Sequence, residues 1–299
     1  MKLETMQFGN TNIQVTRLGY GALEIRLRHI SENEVNNLLN LVLDSGINFI
    51  DTSIDYENSE ELIGRHISHR RKEFFLASKC GCPVGFEKDH VFTKDNIVAG
   101  INQSLKRMKT DYLDLVQLHS SLSKNQIEKN DVIQTLLDIK KEGKVRFIGS
   151  SSTLPFLADH VAMGVFDAFQ IPYSALNRDH EEWITTAFNS GAGTIIRGGV
   201  SRGEGENPTE QENKGEWENY SKANLDDLLS DGESRTAFLL RFVLSHPHLN
   251  TTIVGTKNLE HFKENINTAN KGKLSEDIYE EAKKRLSAIG AVPATTPDQ

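Results

Sequence analysis

The stretch GINFIDTSIDYENSEELIGRH, residues 46–66, decides the fold because it joins a buried strand to a helix within a few residues. INFI is a continuous apolar run of strand length, and it ends at the acidic residue Asp51. NSEELIGRHI then predicts a helix, with Asn58 and Glu61 spaced as a capping pair. Apolar strands that alternate with helices indicate a parallel sheet covered by helices, so this stretch predicts one strand–helix unit.

The same unit recurs along the chain. A helix precedes the opening stretch, since residues 31–46 carry a capping box at Ser31 and Glu34, one apolar face and a closing glycine. Helices alternate with the strands, and the last two begin near Leu259 and Ser275. The predicted strands are RLGYG at 17–21, INFI at 47–50, FFLASK at 74–79, YLDLVQLH at 112–119, VRFIG at 145–149, DAFQI at 167–171, GTIIR at 193–197 and TTIVG at 251–255.

Eight such strands within about 240 residues favour an α/β fold of the closed (β/α)8 TIM barrel type. An open doubly wound sheet is the alternative, and it usually carries a glycine-rich turn after its first strand. GYGALE, residues 19–24, matches that turn poorly. We therefore expect residues 1–299 to form a single barrel domain with a long loop after the seventh strand and a C-terminal helix.

The long loop runs from Gly198 to about Glu233 and is polar, acidic and glycine-rich. It exceeds the usual length of a connection, so it is either a disordered insertion or a lid. Its position after the seventh strand, on the face where barrels carry their active sites, favours a lid.

The composition argues against several classes of partner. A formal net charge of -8 leaves no basic stripe for a nucleic-acid backbone. No apolar run approaches the roughly 20 residues of a membrane span, and the N-terminus has no secretory apolar segment, so we expect a cytoplasmic protein without a membrane partner. The two cysteines, Cys80 and Cys82, fit a reducing compartment, and their CxC spacing predicts no metal site.

Polar residues stand where the predicted strands end, on the active face of a barrel. Each alone has a structural explanation, as a capping acid, a packed tyrosine, a surface lysine or a buried histidine. Their recurrence at successive strand ends favours one shared site. They are Asp51, with Tyr56 in the loop that follows, then Lys79, His119, Ser151, Ser152, Gln170 and Arg197.

An acid, a phenol, an amine and an imidazole at one barrel mouth suit the protonation of a carbonyl oxygen. A phenol has an ordinary pKa of about 10, so it donates poorly at neutral pH unless a cation such as Lys79 stabilises the phenolate. Asp51 would keep that amine charged. His119 would hold a substrate oxygen or pass on a proton.

The chain carries six motifs in one order, which are GINFIDTS with Tyr56 and SEELIG, LASKCG, DYLDLVQLH, GKVRFIGSSS, FQIPYS and IVGTKNLEHFKENI. Together they resemble the aldo-keto reductase superfamily, in its short-tailed, bacterial-type branch. The resemblance implies a nicotinamide-dependent carbonyl reductase on a (β/α)8 barrel. It assigns Tyr56 as the general acid, Lys79 as the residue that lowers its pKa, Asp51 as the partner of Lys79, and His119 as the residue that orients the substrate.

The resemblance also implies the contacts of the cofactor. Ser151, Ser152 and Gln170 correspond to residues that hold the nicotinamide carboxamide, and the loop after Arg197 to a clamp over the pyrophosphate. Residues 256–265, at a helix start that is a natural anion site, correspond to contacts with a 2′-phosphate and adenine, which favours NADPH (NADP+) over NADH. The expected cofactor contacts are Gly21, Ala22, Leu23, Asp51, Ser151, Ser152, Gln170, Arg197, Gly198, Val200, Arg202, Gly255, Thr256, Lys257, His261, Glu264 and Asn265.

Three residues depart from the family pattern. Glu57 stands where glycine is common, Ser152 replaces an asparagine that grips the carboxamide, and Arg197 replaces an aromatic that stacks on the nicotinamide. The expected function is reduction of an aldehyde, ketone or sugar carbonyl, by a monomer or small homo-oligomer. Two alternatives stay open, a non-catalytic NADP(H)-sensing regulatory subunit and a lyase or isomerase on the same barrel.

Overall fold

A short antiparallel hairpin of β1 (Thr5–Gln7) and β2 (Gln14–Thr16) precedes a closed parallel barrel. The computed structural model describes residues 3–26, 30–83, 89–203 and 210–294, without the side chains of 210–215. The barrel strands pair in chain order and the last closes on the first, which confirms the predicted (β/α)8 TIM barrel. They are β3 (Leu18–Gly21), β4 (Phe49–Asp51), β5 (Phe75–Cys80), β6 (Leu113–His119), β7 (Val145–Ser151), β8 (Ala168–Pro172), β9 (Gly193–Arg197) and β10 (Thr251–Val254).

Helices cover the barrel and occupy its connections. In the part of the chain that the structure describes, none is long and apolar enough to cross a membrane. They are α1 (Glu32–Asp44), α2 (Ser59–His66), α3 (Lys94–Met108), α4 (Lys124–Lys129), α5 (Val132–Lys141), α6 (Phe156–Ala162), α7 (Glu181–Asn189), α8 (Glu210–Lys222), α9 (Arg235–Ser245), α10 (Leu259–Lys271) and α11 (Glu276–Ala288), with 3-10 turns at Ser68–Glu73 and Leu225–Leu228.

Alternate residues of each barrel strand form layers inside the barrel. Successive side chains of a strand point to opposite faces, so Phe49 and Asp51 of β4 share the inner face. The lower inner layer is apolar and buried, and the upper layer carries the polar strand-end residues. The lower layer includes Phe49, Phe75, Leu115, Ala168 and Ile195, all in one cluster.

The N-terminal hairpin supplies part of this lower layer. Phe8, in the turn between β1 and β2, is fully buried, and its ring centre lies 5.8 Å from that of Phe49 and 5.1 Å from that of Phe75. The hairpin was not among the predicted elements, although residues 5–7 and 14–16 flank a turn at Gly9 and Asn10. It covers the amino-terminal end of the barrel, so the active face must be the opposite one.

Two connections contain helices, and one predicted helix cap does not form. The connection after β9, expected to be a lid, contains α8 and a 3-10 turn at Leu225–Leu228. Residues 204–209 of this connection lie outside the described residues. The loop after β6 also contains a helix, α4. The Ser31 capping box forms as predicted, but the Asn58 side chain makes no capping hydrogen bond to α2.

Gly64 of α2 gives a test of how tightly the helices pack. A Cβ there would clash with Arg107 O in α3, so Gly64→Ala should lower the free energy of unfolding by about 1–3 kcal/mol. At Gly100 of α3 a Cβ would meet only Ile54 Cδ1, at 3.5 Å. Gly100→Ala should therefore leave stability unchanged or raise it by up to about 1 kcal/mol. Urea unfolding of both variants checks this, and equal effects would contradict it.

Candidate active site

A buried ion pair joins the carboxyl ends of β4 and β5. Lys79 Nζ lies 2.6 Å from Asp51 Oδ2 and also donates a hydrogen bond of 2.8 Å to Thr52 O. Lys79 and Asp51 are only 2% and 1% exposed. Burial alone would lower the pKa of Lys79, but the charge of Asp51 and the hydrogen bond to it, together with Tyr56, raise it above its ordinary value. Lys79 is therefore held as a charged ammonium.

Two glutamine side chains complete the environment of Asp51. Gln117 Nε2 and Gln170 Nε2 each donate to Asp51 Oδ1 over 2.9 Å. Gln170 is one of the predicted site residues, whereas Gln117 is not, because it lies two residues before the end of its strand. The signal for it is the period of two in β6, since Gln117 precedes His119 by two residues and lies on the same inner face.

Tyr56 lies beside the ammonium group, as the strand-end pattern predicts. Lys79 Nζ is 4.9 Å from the centre of the Tyr56 ring, and a turn between Ser53 and Ser59 holds the backbone there. Burial and the charges of Asp51 and Asp55 raise the pKa of Tyr56 above its ordinary value, although Lys79 acts to lower it. The expectation that Lys79 lowers this pKa therefore describes the effect of its own charge but not the net shift.

His119 stands at the end of β6, beside Tyr56. The centres of the two rings are 6.0 Å apart and the rings meet edge to face. His119 Nδ1 has three polar neighbours, Cys82 Sγ at 3.1 Å, Ser53 Oγ at 3.3 Å and Asp55 Oδ2 at 3.4 Å. Burial would raise the pKa of Asp55, but the hydrogen bonds from His119 and Ser53 and the nearby positive charges bring it below its ordinary value. The four residues expected to act together thus share one barrel mouth.

The expected carboxamide residues lie at the same level of the barrel. In the strand register, Ser151 pairs with both His119 and Gln170. Ser151 Oγ donates to Gln170 Oε1 over 3.2 Å, which links it through Gln170 to Asp51. Ser152 is buried but bonds elsewhere, because its Oγ accepts a hydrogen bond of 3.3 Å from Ser150.

Arg197 ends β9 and begins a strained loop. Burial lowers the pKa of Arg197, and the charges of Tyr56 and Asp51 act in the opposite direction. Gly198, Ser201, Arg202 and Gly203 all have positive φ, and the non-glycine residues among them adopt that conformation at a cost. Val200 is half-buried in the same loop. Such strain concentrates at ligand-binding loops.

Backbone segments at β3 and β10 form the next part of the rim. A Cβ on Gly255 would lie 2.7 Å from Gly21 O, so this close approach requires glycine. Ala22 is anchored from both sides, because its N–H donates to Asp51 O over 2.8 Å and its carbonyl accepts from Ser59. Leu23 is half-buried beside it.

Two backbone amides in the first turn of α10, which was expected to bind an anion, already have a hydrogen-bond partner. Asn258 caps the helix by accepting hydrogen bonds from the N–H groups of Glu260 and His261, so these two amides are not open to an anion. Thr256 is fixed by Tyr20, whose hydroxyl donates to its carbonyl over 2.8 Å. Asn265 is half-buried, while Lys257, His261 and Glu264 are exposed, and the Glu264 carboxylate accepts a hydrogen bond of 2.7 Å from Ser234.

Comparison with known proteins agrees with this geometry. The sequence model described as the Aldo/keto reductase family matches residues 17–286. The chain belongs to the aldo-keto reductase family. It is therefore an oxidoreductase that acts on carbonyl groups, in a family that generally uses nicotinamide cofactors.

Similar proteins cover nearly the whole chain. The Bacillus subtilis "uncharacterized oxidoreductase YqkF" is 26% identical over 288 residues, 91% of this aldo-keto reductase and 92% of that protein. The L-galactose dehydrogenase of Arabidopsis thaliana is 26% identical over 89% of this chain and 88% of its own. The holo form of the aldo-keto reductase AKR11C1 from Bacillus halodurans superposes with a TM-score of 0.83 at 24% identity, covering 95% of this chain and 96% of that one.

Glu57 of the opening stretch has the backbone conformation that favours the glycine common here in the aldo-keto reductase family. Its φ is 49°, in the left-handed region where glycine is favoured. The backbone therefore has the conformation that suits the glycine common at this place, and the glutamate adopts it at a cost. The side chain is exposed, so the charge lies on the surface of the mouth.

A pair of substitutions at Glu57 isolates this backbone cost. Glu57→Gly and Glu57→Ala both remove the carboxylate, but only glycine takes a positive φ without strain. The glycine variant should therefore be more stable than the alanine variant by about 1 kcal/mol. Thermal and urea unfolding of the two proteins measure this difference, and an alanine variant as stable as the glycine variant would disprove the strain.

Proposed function

We propose that this aldo-keto reductase uses NADPH to reduce an aldehyde, ketone or sugar carbonyl to an alcohol. The observation that supports the proposal is the close placement of Lys79, Asp51, Tyr56 and His119. Lys79 Nζ is 2.6 Å from Asp51 Oδ2 and 4.9 Å from the centre of the Tyr56 ring, with His119 beside the same ring. A buried cation next to a phenol stabilises the phenolate left when the phenol gives up its proton.

The residues around this arrangement fit a nicotinamide cofactor. Gln170 uses one N–H for Asp51 and one lone pair for Ser151, so its amide keeps a donor and an acceptor for the carboxamide. Arg202, in the strained loop, supplies a cation for a pyrophosphate, and the planar guanidinium of Arg197 takes the place of the aromatic that stacks on the nicotinamide. Lys257 and His261 supply basic groups for a 2′-phosphate, and this favours NADPH. When bound, the reduced nicotinamide supplies the hydride for the carbonyl carbon.

The protein's own residues supply the proton and the orientation. Tyr56 donates its hydroxyl proton to the carbonyl oxygen, because its raised pKa keeps it protonated across the neutral range. Lys79 then stabilises the phenolate, since it lies beside the ring and stays charged. Asp51 holds Lys79 in place, and His119 orients the carbonyl oxygen by a hydrogen bond.

Tyr56→Phe tests the proton donor. The variant keeps the ring but loses the hydroxyl, so kcat should fall by about 10²- to 10⁴-fold, the usual contribution of general acid catalysis. The Kd for NADPH should change less than about twofold, because the hydroxyl acts on the carbonyl. Steady-state NADPH oxidation with aldehyde, ketone and sugar substrates, and fluorescence titration of NADPH, give the two quantities.

Tyr112→Phe is the matched control. Tyr112 packs under Arg71, whose guanidinium carbon is 4.2 Å from the ring centre, away from the barrel mouth. Removal of the Tyr112 hydroxyl should leave kcat unchanged. Normal turnover in Tyr56→Phe would contradict the assignment of the acid. Absence of turnover in the wild-type protein with every carbonyl class would contradict the reductase itself.

Lys257→Ala tests the choice of cofactor. A charged contact to a phosphate contributes about 1.5 kcal/mol, so the Kd for NADPH should rise about tenfold, while that for NADH, which lacks the 2′-phosphate, should stay nearly constant. Lys263→Ala is the control, because Lys263 lies on the same helix and pairs with Glu260 at 2.8 Å. Fluorescence titrations measure the Kd for NADPH and the Kd for NADH in both variants. Equal weakening of both cofactors by Lys257→Ala would refute a 2′-phosphate contact.

A further inference from the structure

Four potential metal ligands converge at the mouth of the barrel. Asp55, Cys82, His90 and His119 each present one ligand atom, and these atoms all lie within 4.8 Å of one another. Within residues 3–26, 30–83, 89–203 and 210–294, no other group of three or more such side chains has this spacing. The CxC spacing does not reveal this group, because Cys80 is buried in the apolar core and only Cys82 belongs to it.

The distances approach those of a tetrahedral metal site. His119 Nδ1 is 3.1 Å from Cys82 Sγ and 3.4 Å from Asp55 Oδ2, and His90 Nε2 is 4.0 Å from Asp55 Oδ2. Zinc bonds of about 2.0–2.3 Å place neighbouring ligand atoms of a tetrahedron roughly 3.3–3.8 Å apart. The four side chains therefore need to move by only about 1 Å or less to enclose an ion.

The contacts of His119 leave room for a central ligand. Its Nδ1 faces Cys82, Ser53 and Asp55 at 3.1–3.4 Å, yet one ring nitrogen makes only one well-directed hydrogen bond. An ion between these groups would satisfy the nitrogen, the sulfur and the carboxylate at the same time. We propose that Asp55, Cys82, His90 and His119 form a binding site for Zn2+ or a similar divalent transition metal.

The chemistry of the donors selects the metal. One sulfur, two imidazoles and one carboxylate suit Zn2+, Co2+ and related ions, whereas Mg2+ and Ca2+ require oxygen ligands. Only the thiolate of a cysteine binds a metal, so Cys82 releases its proton to solvent when the ion enters. With the ion on Nδ1, the proton of neutral His119 must lie on Nε2. The metal thus fixes His119 as a hydrogen-bond donor.

Hydrogen bonds around the four ligands join the segment that carries Cys82 to the segment that carries His90. Asn96 Nδ2 donates to Cys82 O over 3.2 Å and to Val91 O over 2.7 Å, and Val91 N donates to Gly81 O over 2.6 Å. These bonds tie Cys82 to the backbone beside His90. Ser53 Oγ adds contacts of 3.6 Å to Cys82 Sγ and 3.3 Å to His119 Nδ1. Outer groups of this kind orient metal ligands and commonly change affinity by about 10- to 100-fold.

Cobalt titration of the full-length protein tests the site directly. Metal-free protein should bind one Co2+ per chain, with the strong visible absorption of a tetrahedral ion and a near-ultraviolet thiolate-to-cobalt band. Zn2+ should displace the cobalt and abolish both bands, and Mg2+ should do neither. This measurement does not depend on carbonyl reduction. A protein that fails to bind Co2+ would therefore contradict the metal site without contradicting the proposed reductase activity.

Matched substitutions assign the ligands. Cys82→Ala should remove the thiolate band and weaken Co2+ binding by more than about 100-fold, because a direct ligand contributes more than an outer one. Cys80→Ala removes the neighbouring buried thiol and should leave both unchanged. His90→Gln, at an exposed position, should weaken binding as strongly, while His69→Gln, also at an exposed position, should not.

The outcomes separate the possibilities. A one-to-one complex that loses its thiolate band in Cys82→Ala and its affinity in His90→Gln supports the site. A wild-type protein that binds no Co2+ would overturn the proposal. Binding that persists with the same spectrum in Cys82→Ala, or equally in His90→Gln, would also overturn it and would assign the ion to other histidines on the surface.

Discussion

Burial of the ion pair between Lys79 and Asp51 is the constraint on which the barrel mouth depends. Moving two charges out of water costs several kcal/mol for each ion, and the pair is tolerated only if further hydrogen bonds compensate the loss. Thr52 O compensates Lys79, and the amides of Gln117 and Gln170 compensate Asp51. Because these groups come from β4, β5, β6 and β8, the pair fixes four strands relative to one another. The position of Tyr56 above the ammonium follows from that arrangement.

The same ion pair acts on Tyr56 in two opposite directions. The charge of Lys79 favours the phenolate, whereas burial and the charges of Asp51 and Asp55 favour the neutral phenol. The neutral form prevails, so the phenol is a protonated acid that stands beside a fixed positive charge. A proton donor needs both properties, because it must carry its proton when the substrate arrives and must be stabilised once the proton has left. The ion pair therefore contributes more to stabilising the phenolate after the proton has left than to keeping the phenol protonated before the substrate arrives.

The sequence predicts the fold and the strand-end residues well, because both depend on regular geometry. Apolar runs that alternate with helices define the barrel, and parallel strands bring their carboxyl ends to one face. Gln117 was missed although it follows from the same alternation, since it lies one layer below the end of β6. The N-terminal hairpin and α8 have weaker signals, because each depends on contacts with the rest of the chain, such as the packing of Phe8 on Phe49 and Phe75.

Loop residues are harder to predict, because their neighbours are set by turns and not by a period. Nothing in the spacing of residues 55, 82, 90 and 119 indicates that they meet, and only His119 stands at a strand end. They meet because Asp55, after β4, and Cys82 and His90, after β5, lie on the same side of the barrel, where Asn96 donates hydrogen bonds to Cys82 O and Val91 O. The mouth thus has a deep set of residues fixed by strands and a shallow set fixed by loops. His119 belongs to both, so the metal ion proposed for the loop residues would act on a residue that the strands position.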